Sequence, residues 1–182
     1  MKLGLYGGTF DPIHNGHTHV ITELLNRKVV DHVLVVPAGE PRLREIAPIA
    51  TGAQRRQMCQ LAINDLPPEI RSHVEVNPIE ILRMGPSYTI DTVEAVAQSY
   101  PDDEIILIVG TDAFSKIDQW HRVDELMKLV TLEVIQRPGS AANLARDIDA
   151  IDISATQVRL HQSDQLSPSV ANYIKEQNLY VS

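Results

Sequence analysis

Two histidines, His14 and His17, close the segment Gly7-Gly8-Thr9-Phe10-Asp11-Pro12-Ile13-His14-Asn15-Gly16-His17. The segment follows an apolar run directly, and helical periodicity resumes near Gly16, so it reads as a strand-to-helix turn. Gly7 and Gly8 permit a sharp bend and a close approach of a ligand to the main chain. Asn15 is the expected N-cap, which puts His17 in the first helical turn and His14 just ahead of it. Amides at a helix start attract phosphate, and two imidazoles beside them can each donate to a phosphate oxygen. This suits attack on the α-phosphate of a nucleoside triphosphate. Charge then shifts toward departing pyrophosphate, and the protein's task is to position the reactants and stabilise that charge. No protein nucleophile is needed if the acceptor already carries a phosphate oxygen.

A second segment, Ile153-Ser154-Ala155-Thr156-Gln157-Val158-Arg159, has the chemistry to hold a polyphosphate tail. Ser154 is a natural N-cap, Thr156 falls in the first turn, and Arg159 comes one turn later near the same face. Hydroxyls, amides and one guanidinium form such a cradle. By itself the cluster is no more than a capped helix, and it gains meaning only if it meets the first segment in space. In the middle of the chain, Tyr88-Thr89 precedes a helix and its amides can hold a carboxylate. Gly110-Thr111-Asp112 follows a strand, and Asp112 can bond a ribose hydroxyl or act through a metal. Trp120, the only tryptophan, can stack on a flat ring or fill the core.

The elements that must position these residues are legible from pattern. Apolar, β-branched runs at 3–6, 33–36, 74–76, 105–109 and 132–135, with a weaker one at 150–153, alternate with helical periodicities. The helical ones run through Val20, Ile21, Leu24 and Leu25, through Met58, Leu61 and Ala62, through Ile90, Val93 and Ala97, and through Leu126, Leu129 and Val130. The pattern predicts an α/β fold: a Rossmann-like, three-layer parallel sheet of five or six strands with helices on both faces. Thr51 is expected to cap the helix containing Arg55, and Ser167-Pro168 to open the last helix at 169–177. The segment 39–48 reads as a loop; 139–149 is poorly patterned, with a possible short helix at 141–146. Loops after parallel strands gather at one sheet edge, where ligands bind at the switch in strand order.

Composition narrows the classes. The 182 residues fit one domain over 1–182, with a small helical C-terminal segment from about 154. A net charge of -8 argues against general affinity for DNA or RNA. There is no charged leader and no apolar run near about 18 residues, so no signal peptide and no membrane partner are expected, and the cytoplasm is the default compartment. Cys59 is the only cysteine and is read as a small core residue. His19 is read as a surface or packing residue. A zinc site from His14, His17 and His19 would leave the flanking glycines unexplained, with no cysteine nearby. The turn lacks the G-x-G-x-x-G order of a dinucleotide site, and the chain has no Walker sequence and no G-x-S-x-G elbow.

The eleven residues of the first turn resemble the signature of the H-x-G-H nucleotidyltransferase superfamily, and 153–159 resemble its second signature, I-S-S/G-T-x-x-R, with Ala155 where serine or glycine is commoner. A class I aminoacyl-tRNA synthetase shares the H-x-G-H core, but no K-M-S-K-S partner or anticodon domain is present. In order and spacing, Ser87-Tyr88-Thr89, Gly110-Thr111-Asp112, Trp120 and Arg137-Pro138-Gly139 resemble the bacterial nicotinate-nucleotide adenylyltransferase family over nearly the whole chain. The resemblance implies the nucleotidyltransferase fold and transfer of AMP from ATP, with Mg²⁺, to nicotinate mononucleotide in NAD biosynthesis. It implies His14 and His17 as catalytic residues, with no metal site of the protein's own. It assigns Gly8, Thr9, Phe10, Gly16, Gly110, Asp112, Ser154, Thr156 and Arg159 to ATP. Arg44, Tyr88, Thr89, Trp120 and Arg137 fall to the mononucleotide. Where the family commonly reads P-P-H-K or P-P-H-R, this chain reads Pro41-Arg42-Leu43-Arg44. Leu43 cannot donate a hydrogen bond, Arg44 matches the basic position, and Arg42 can compensate. One lost charge-assisted bond costs about 1.5–3 kcal/mol, or about 10–150-fold in affinity. Nicotinamide mononucleotide or pantetheine phosphate as acceptor, or a binding module without catalysis, are the alternatives.

Overall fold

The computed structural model describes residues 1–41, 47–136, 138 and 145–181. Its strands are β1 (Lys2–Gly8), β2 (His32–Pro37), β3 (Glu40–Pro41), β4 (Val74–Val76), β5 (Pro86–Ser87), β6 (Glu104–Gly110) and β7 (Thr131–Ile135). Five of them form a parallel sheet in the order β4-β2-β1-β6-β7, and β3 pairs with β5 separately. The helices are α1 (Asn15–Asn26), α2 (Gly52–Asn64), α3 (Pro68–Arg71), α4 (Ile79–Leu82), α5 (Thr89–Ser99), α6 (Thr111–Phe114), α7 (Val123–Leu129), α8 (Ala155–Arg159) and α9 (Pro168–Glu176).

The strands are apolar on both faces because helices cover both faces. Successive residues of one strand enter different cores. Leu34 and Val36 of β2 join Leu3, Leu5, Leu107 and Val109 beneath α5 and α7. Val33 and Val35 join Tyr6, Ile106 and Ile108 beneath α1, α2 and α9. The period of two in each strand supplies both cores at once. The helices answer with their own period. Ile90, Val93 and Val96 are the buried apolar face of α5, and Met58, Cys59, Ala62 and Ile63 that of α2. Thr51 caps α2 as expected, accepting from the Gln54 N–H while the Gln54 side chain accepts from the Thr51 N–H. Ser167 and Pro168 open the last helix, and Cys59 is a core residue.

The order places β2 on one side of β1 and β6 on the other. Chain connections leave β1 toward one flank and reach β6 on the opposite flank, so a crevice opens past Gly8 and Gly110 at the strand ends. Two sequence expectations need correction here. Residues 150–153 form no strand: Asp149 turns the chain with a left-handed φ of +52°, and among the described residues outside the named strands the edge of β7 is met by a single bridge at Arg146. The ring of His14, and not Asn15, stands at the N-cap of α1, with extended φ and ψ of -142° and 173°. Residues 42–46 and 139–144 lie outside the described residues, so the loop and short helix expected there have no structural account. Among the described residues no helix is long and apolar enough to cross a membrane.

Burial drives the Cys59 thiol well above its ordinary pKa range. The native protein is expected to resist an aqueous thiol reagent at mildly alkaline pH and to react fully once unfolded in urea. Rapid labelling of the native protein would contradict this packing.

Candidate active site

A cavity of about 1010 Å³ occupies the crevice. It is lined by the first turn (Gly7, Gly8, Thr9, Phe10, His14, Gly16 and His17) and by 150–157, although these segments are some 140 residues apart in sequence. Gly16 explains how they meet. A Cβ on Gly16 would lie 2.7 Å from Ile153 Cγ2 and 3.1 Å from the His14 ring, so only glycine lets the two backbones close. The far side of the cavity is lined by Glu80, Ser87, Tyr88, Thr89, Gly110, Asp112, Trp120 and His121.

The histidine pair is built from backbone upward. Phe10 takes a left-handed φ of +50°, which folds its ring beneath Gly8; a Cβ there would strike the ring at 2.9 Å. The Phe10 ring then meets Tyr6 edge-on at 5.7 Å and His17 at 5.0 Å. His14 is buried and stacks on His17 at 3.7 Å. The His14 N–H donates to His17 Nδ1 at 3.2 Å. That nitrogen is therefore an acceptor, so a neutral His17 carries its proton on Nε2. The half-buried ring of His17 lines the cavity.

The polyphosphate end differs from expectation in detail. The Asn15 N–H donates to Gln165 O at 2.9 Å, so the first amide of α1 is spent within the protein. Ser154 caps α8 as expected, but its hydroxyl both accepts from the Gln157 N–H and donates to Gln157 Oε1. Arg159 does not line the cavity. Its guanidinium donates to Asp11 O at 2.6 Å and to Thr156 Oγ1 at 3.0 Å, and so clamps the first turn from behind. At the other end, Tyr88 is the N-cap of α5 and its ring lies 4.3 Å from that of His121. Trp120 packs against the core beneath α5 and α7 and also faces the cavity. Gly110 caps α6 and, with Asp112, lies between the two ends. Arg44 and Arg137, expected near the mononucleotide phosphate, lie outside the described residues, as do Arg42 and Leu43.

The cytidylyltransferase-like family profile matches residues 5–161. A Bacillus pumilus chain named as a probable nicotinate-nucleotide adenylyltransferase is 35% identical, with 100% of this chain and 99% of that one covered. The Bacillus subtilis nicotinate-nucleotide adenylyltransferase is 32% identical over the same shares. The chain belongs to the nicotinate-nucleotide adenylyltransferase family. The fold agrees with a solved member: the Plasmodium falciparum nicotinic acid mononucleotide adenylyltransferase, in complex with NaAD, superposes with a TM-score of 0.74 at 20% identity, covering 98% of this chain and 97% of that one.

Several residues that hold this cavity's walls together went unassigned in the sequence. Asp11 is 2% exposed, and its carboxylate accepts from the Ile49 N–H at 2.9 Å, the Ala50 N–H at 3.0 Å and the Tyr180 hydroxyl at 2.7 Å. Arg55 is equally buried and donates to Ala50 O, Thr9 O and Gly39 O. A signal for Arg55 existed: it occupies the buried stripe of α2 with Cys59 and Ala62, and an arginine there must find acceptors. Tyr180 gave no local signal. Burial, reinforced by its bond to Asp11, holds its phenol well above the ordinary range.

Tyr180→Phe removes one donor from a buried carboxylate. It is expected to lower the free energy of urea unfolding by about 1.5–3 kcal/mol. An unchanged midpoint and slope would mean that the bond contributes nothing.

Proposed function

We propose that the chain transfers AMP from ATP to nicotinate mononucleotide, giving deamido-NAD and pyrophosphate as a step of NAD biosynthesis in the cytoplasm. The observation that carries this reading is the sharing of one cavity by the His14/His17 turn, the 150–157 segment and the Tyr88, Thr89 and Trp120 cluster. Its volume accommodates two substrates of this size side by side.

In this reading the triphosphate lies between the first turn and the Ser154–Gln157 backbone. Mg²⁺ enters with ATP as part of that substrate. Gly8, Thr9 and Gly16 allow the phosphates close to the main chain, while Phe10 sets the ring of His17. Gly110 and Asp112 flank the adenosine, Asp112 as acceptor for a ribose hydroxyl. Thr156 serves the polyphosphate end, and Arg159, fastened to Asp11 O, sets its positive charge behind that turn. The amides at Tyr88-Thr89 receive the pyridine carboxylate, and Trp120 covers the ring. Arg44 and Arg137 are assigned to the mononucleotide phosphate by their positions in sequence.

A phosphate oxygen of the mononucleotide attacks the α-phosphorus in line. The new P–O bond forms as the bond from the α-phosphorus to the bridging oxygen breaks, and that oxygen's electron pair leaves with pyrophosphate. His17 donates through Nε2–H to the α-phosphate as its charge grows, and His14 supports the stacked imidazole pair from the buried side. The donors are in place before reaction, so no reorganisation opposes the step.

The test is pyrophosphate release with ATP and each of nicotinate mononucleotide, nicotinamide mononucleotide and pantetheine phosphate. The highest kcat/KM is expected with nicotinate mononucleotide. No release with it would overturn the reading, and release with pantetheine phosphate alone would reassign the acceptor. In the same assay His17→Ala is expected to lower kcat by at least about 100-fold, the scale of one lost transition-state donor. A near-wild-type rate would remove His17 from the mechanism.

A further inference from the structure

Glu80 stands on the cavity wall beside Ser87, Tyr88 and Thr89, on α4, away from both phosphate-facing segments. Its carboxylate accepts from the Thr92 hydroxyl of α5 at 2.8 Å. Thr92 is almost fully buried, and its hydroxyl oxygen accepts in turn from the Arg83 guanidinium at 3.2 Å. The Gly39 N–H also bonds the Glu80 carboxylate. Gly39 approaches this residue so closely that a Cβ would fall 2.2 Å from Glu80 O and 2.7 Å from Ser87 Oγ. Burial raises the Glu80 carboxyl above the usual range, and Thr92, Arg83 and Gly39 pull it back.

One side chain thus joins three stretches of chain. Gly39 lies on the segment leaving β2, which continues into β3 and then toward Arg42 and Arg44. Thr92 lies one turn into the helix that Tyr88 and Thr89 begin. Arg83 lies ahead of β5. The same stretches pair directly through β3 and β5, Glu40 with Pro86 and Pro41 with Ser87. An apolar residue at position 80 would leave the buried Thr92 hydroxyl and the Gly39 N–H without this acceptor, with only the two-residue β3–β5 pairing to hold the stretches together.

We infer that Glu80 is a positioning residue of the acceptor site: it fixes Gly39, on the segment leaving β2, against the Tyr88-Thr89 helix start, and so sets the width of the acceptor end of the cavity. The inference rests on the adenylyl-transfer reading, because it concerns the acceptor half of that site. In that reading ATP lies at the other end of the cavity, where Arg55 holds Thr9 by a bond that does not involve Glu80.

The test is steady-state kinetics with each substrate varied in turn. Glu80→Ala is expected to raise the KM for nicotinate mononucleotide by at least about 10-fold, with the KM for ATP within about 2-fold and kcat within about 3-fold. Glu80→Gln keeps one acceptor oxygen, enough for the Thr92 hydroxyl, and is expected to restore the KM to within about 3-fold. Thr92→Val keeps the shape but deletes the hydroxyl between Glu80 and Arg83, and is expected to show the same split at about 3-fold; it carries the test if Glu80→Ala does not fold. A merely structural brace would lower the active fraction, and hence kcat, without separating the two KM values. Equal effects on both substrates, or no effect in any variant, would overturn the inference while leaving the function intact. A wild-type protein inactive with nicotinate mononucleotide would overturn both.

Discussion

Asp11 gathers the main chain of 49–50 and the hydroxyl of Tyr180 onto one buried carboxylate, while Arg159 holds its carbonyl from outside. Residues from both ends of the chain therefore meet on the loop that carries His14 and His17. A carboxylate withdrawn from water must be repaid by donors of good geometry, and here they come from two distant places, the 49–50 backbone and Tyr180 near the end of the chain. The loop can hold its histidines only when the whole domain is assembled. Arg55 repeats the arrangement with opposite polarity, collecting carbonyls of Thr9, Gly39 and Ala50.

The sheet supplies the space into which this loop faces. With β2 and β6 on opposite sides of β1, the strand ends at Gly8 and Gly110 open a crevice that no helix among the described residues fills. The first turn and the 150–157 segment close one end of it, and the α5 start with Trp120 closes the other. The two ends differ in construction. The end beside His14 and His17 relies on close packing that glycine permits, as at Gly16 against the Ile153 side chain. The end beside Tyr88 and Trp120 relies on side-chain anchors, Glu80 to Thr92 within the wall and Arg122 to Glu94 and Glu125 behind it. Because Arg122 adjoins His121 and Trp120, that ion cluster ties the ring-facing segment to α5 and α7.

Departures from the sequence reading share one cause. The 150–153 run has strand-like residues, yet Asp149 turns the chain, and the segment packs Ile153 against the histidine turn, with Ile151 left exposed, instead of forming a sixth strand. Asn15 has the chemistry of an N-cap, but its amide is claimed by Gln165 and His14 takes the cap position. Arg159 has the charge to meet phosphate, but Asp11 O lies within reach and holds it. In each case a tertiary partner outbid the local preference, and such partners leave no mark at nearby positions.

The five parallel strands, both helical layers, the strand-to-helix turn with its two histidines and the capped start of α8 were all readable from residue order alone. Periodicity and capping are properties of neighbours in sequence, so the chain states them locally. The tautomer of His17, the union of 7–17 with 150–157 and the roles of Asp11, Arg55, Glu80 and Tyr180 emerged only from the folded molecule. Each depends on a donor and an acceptor brought together across the fold, and a buried polar group names its partner only once burial has removed the water that would otherwise satisfy it.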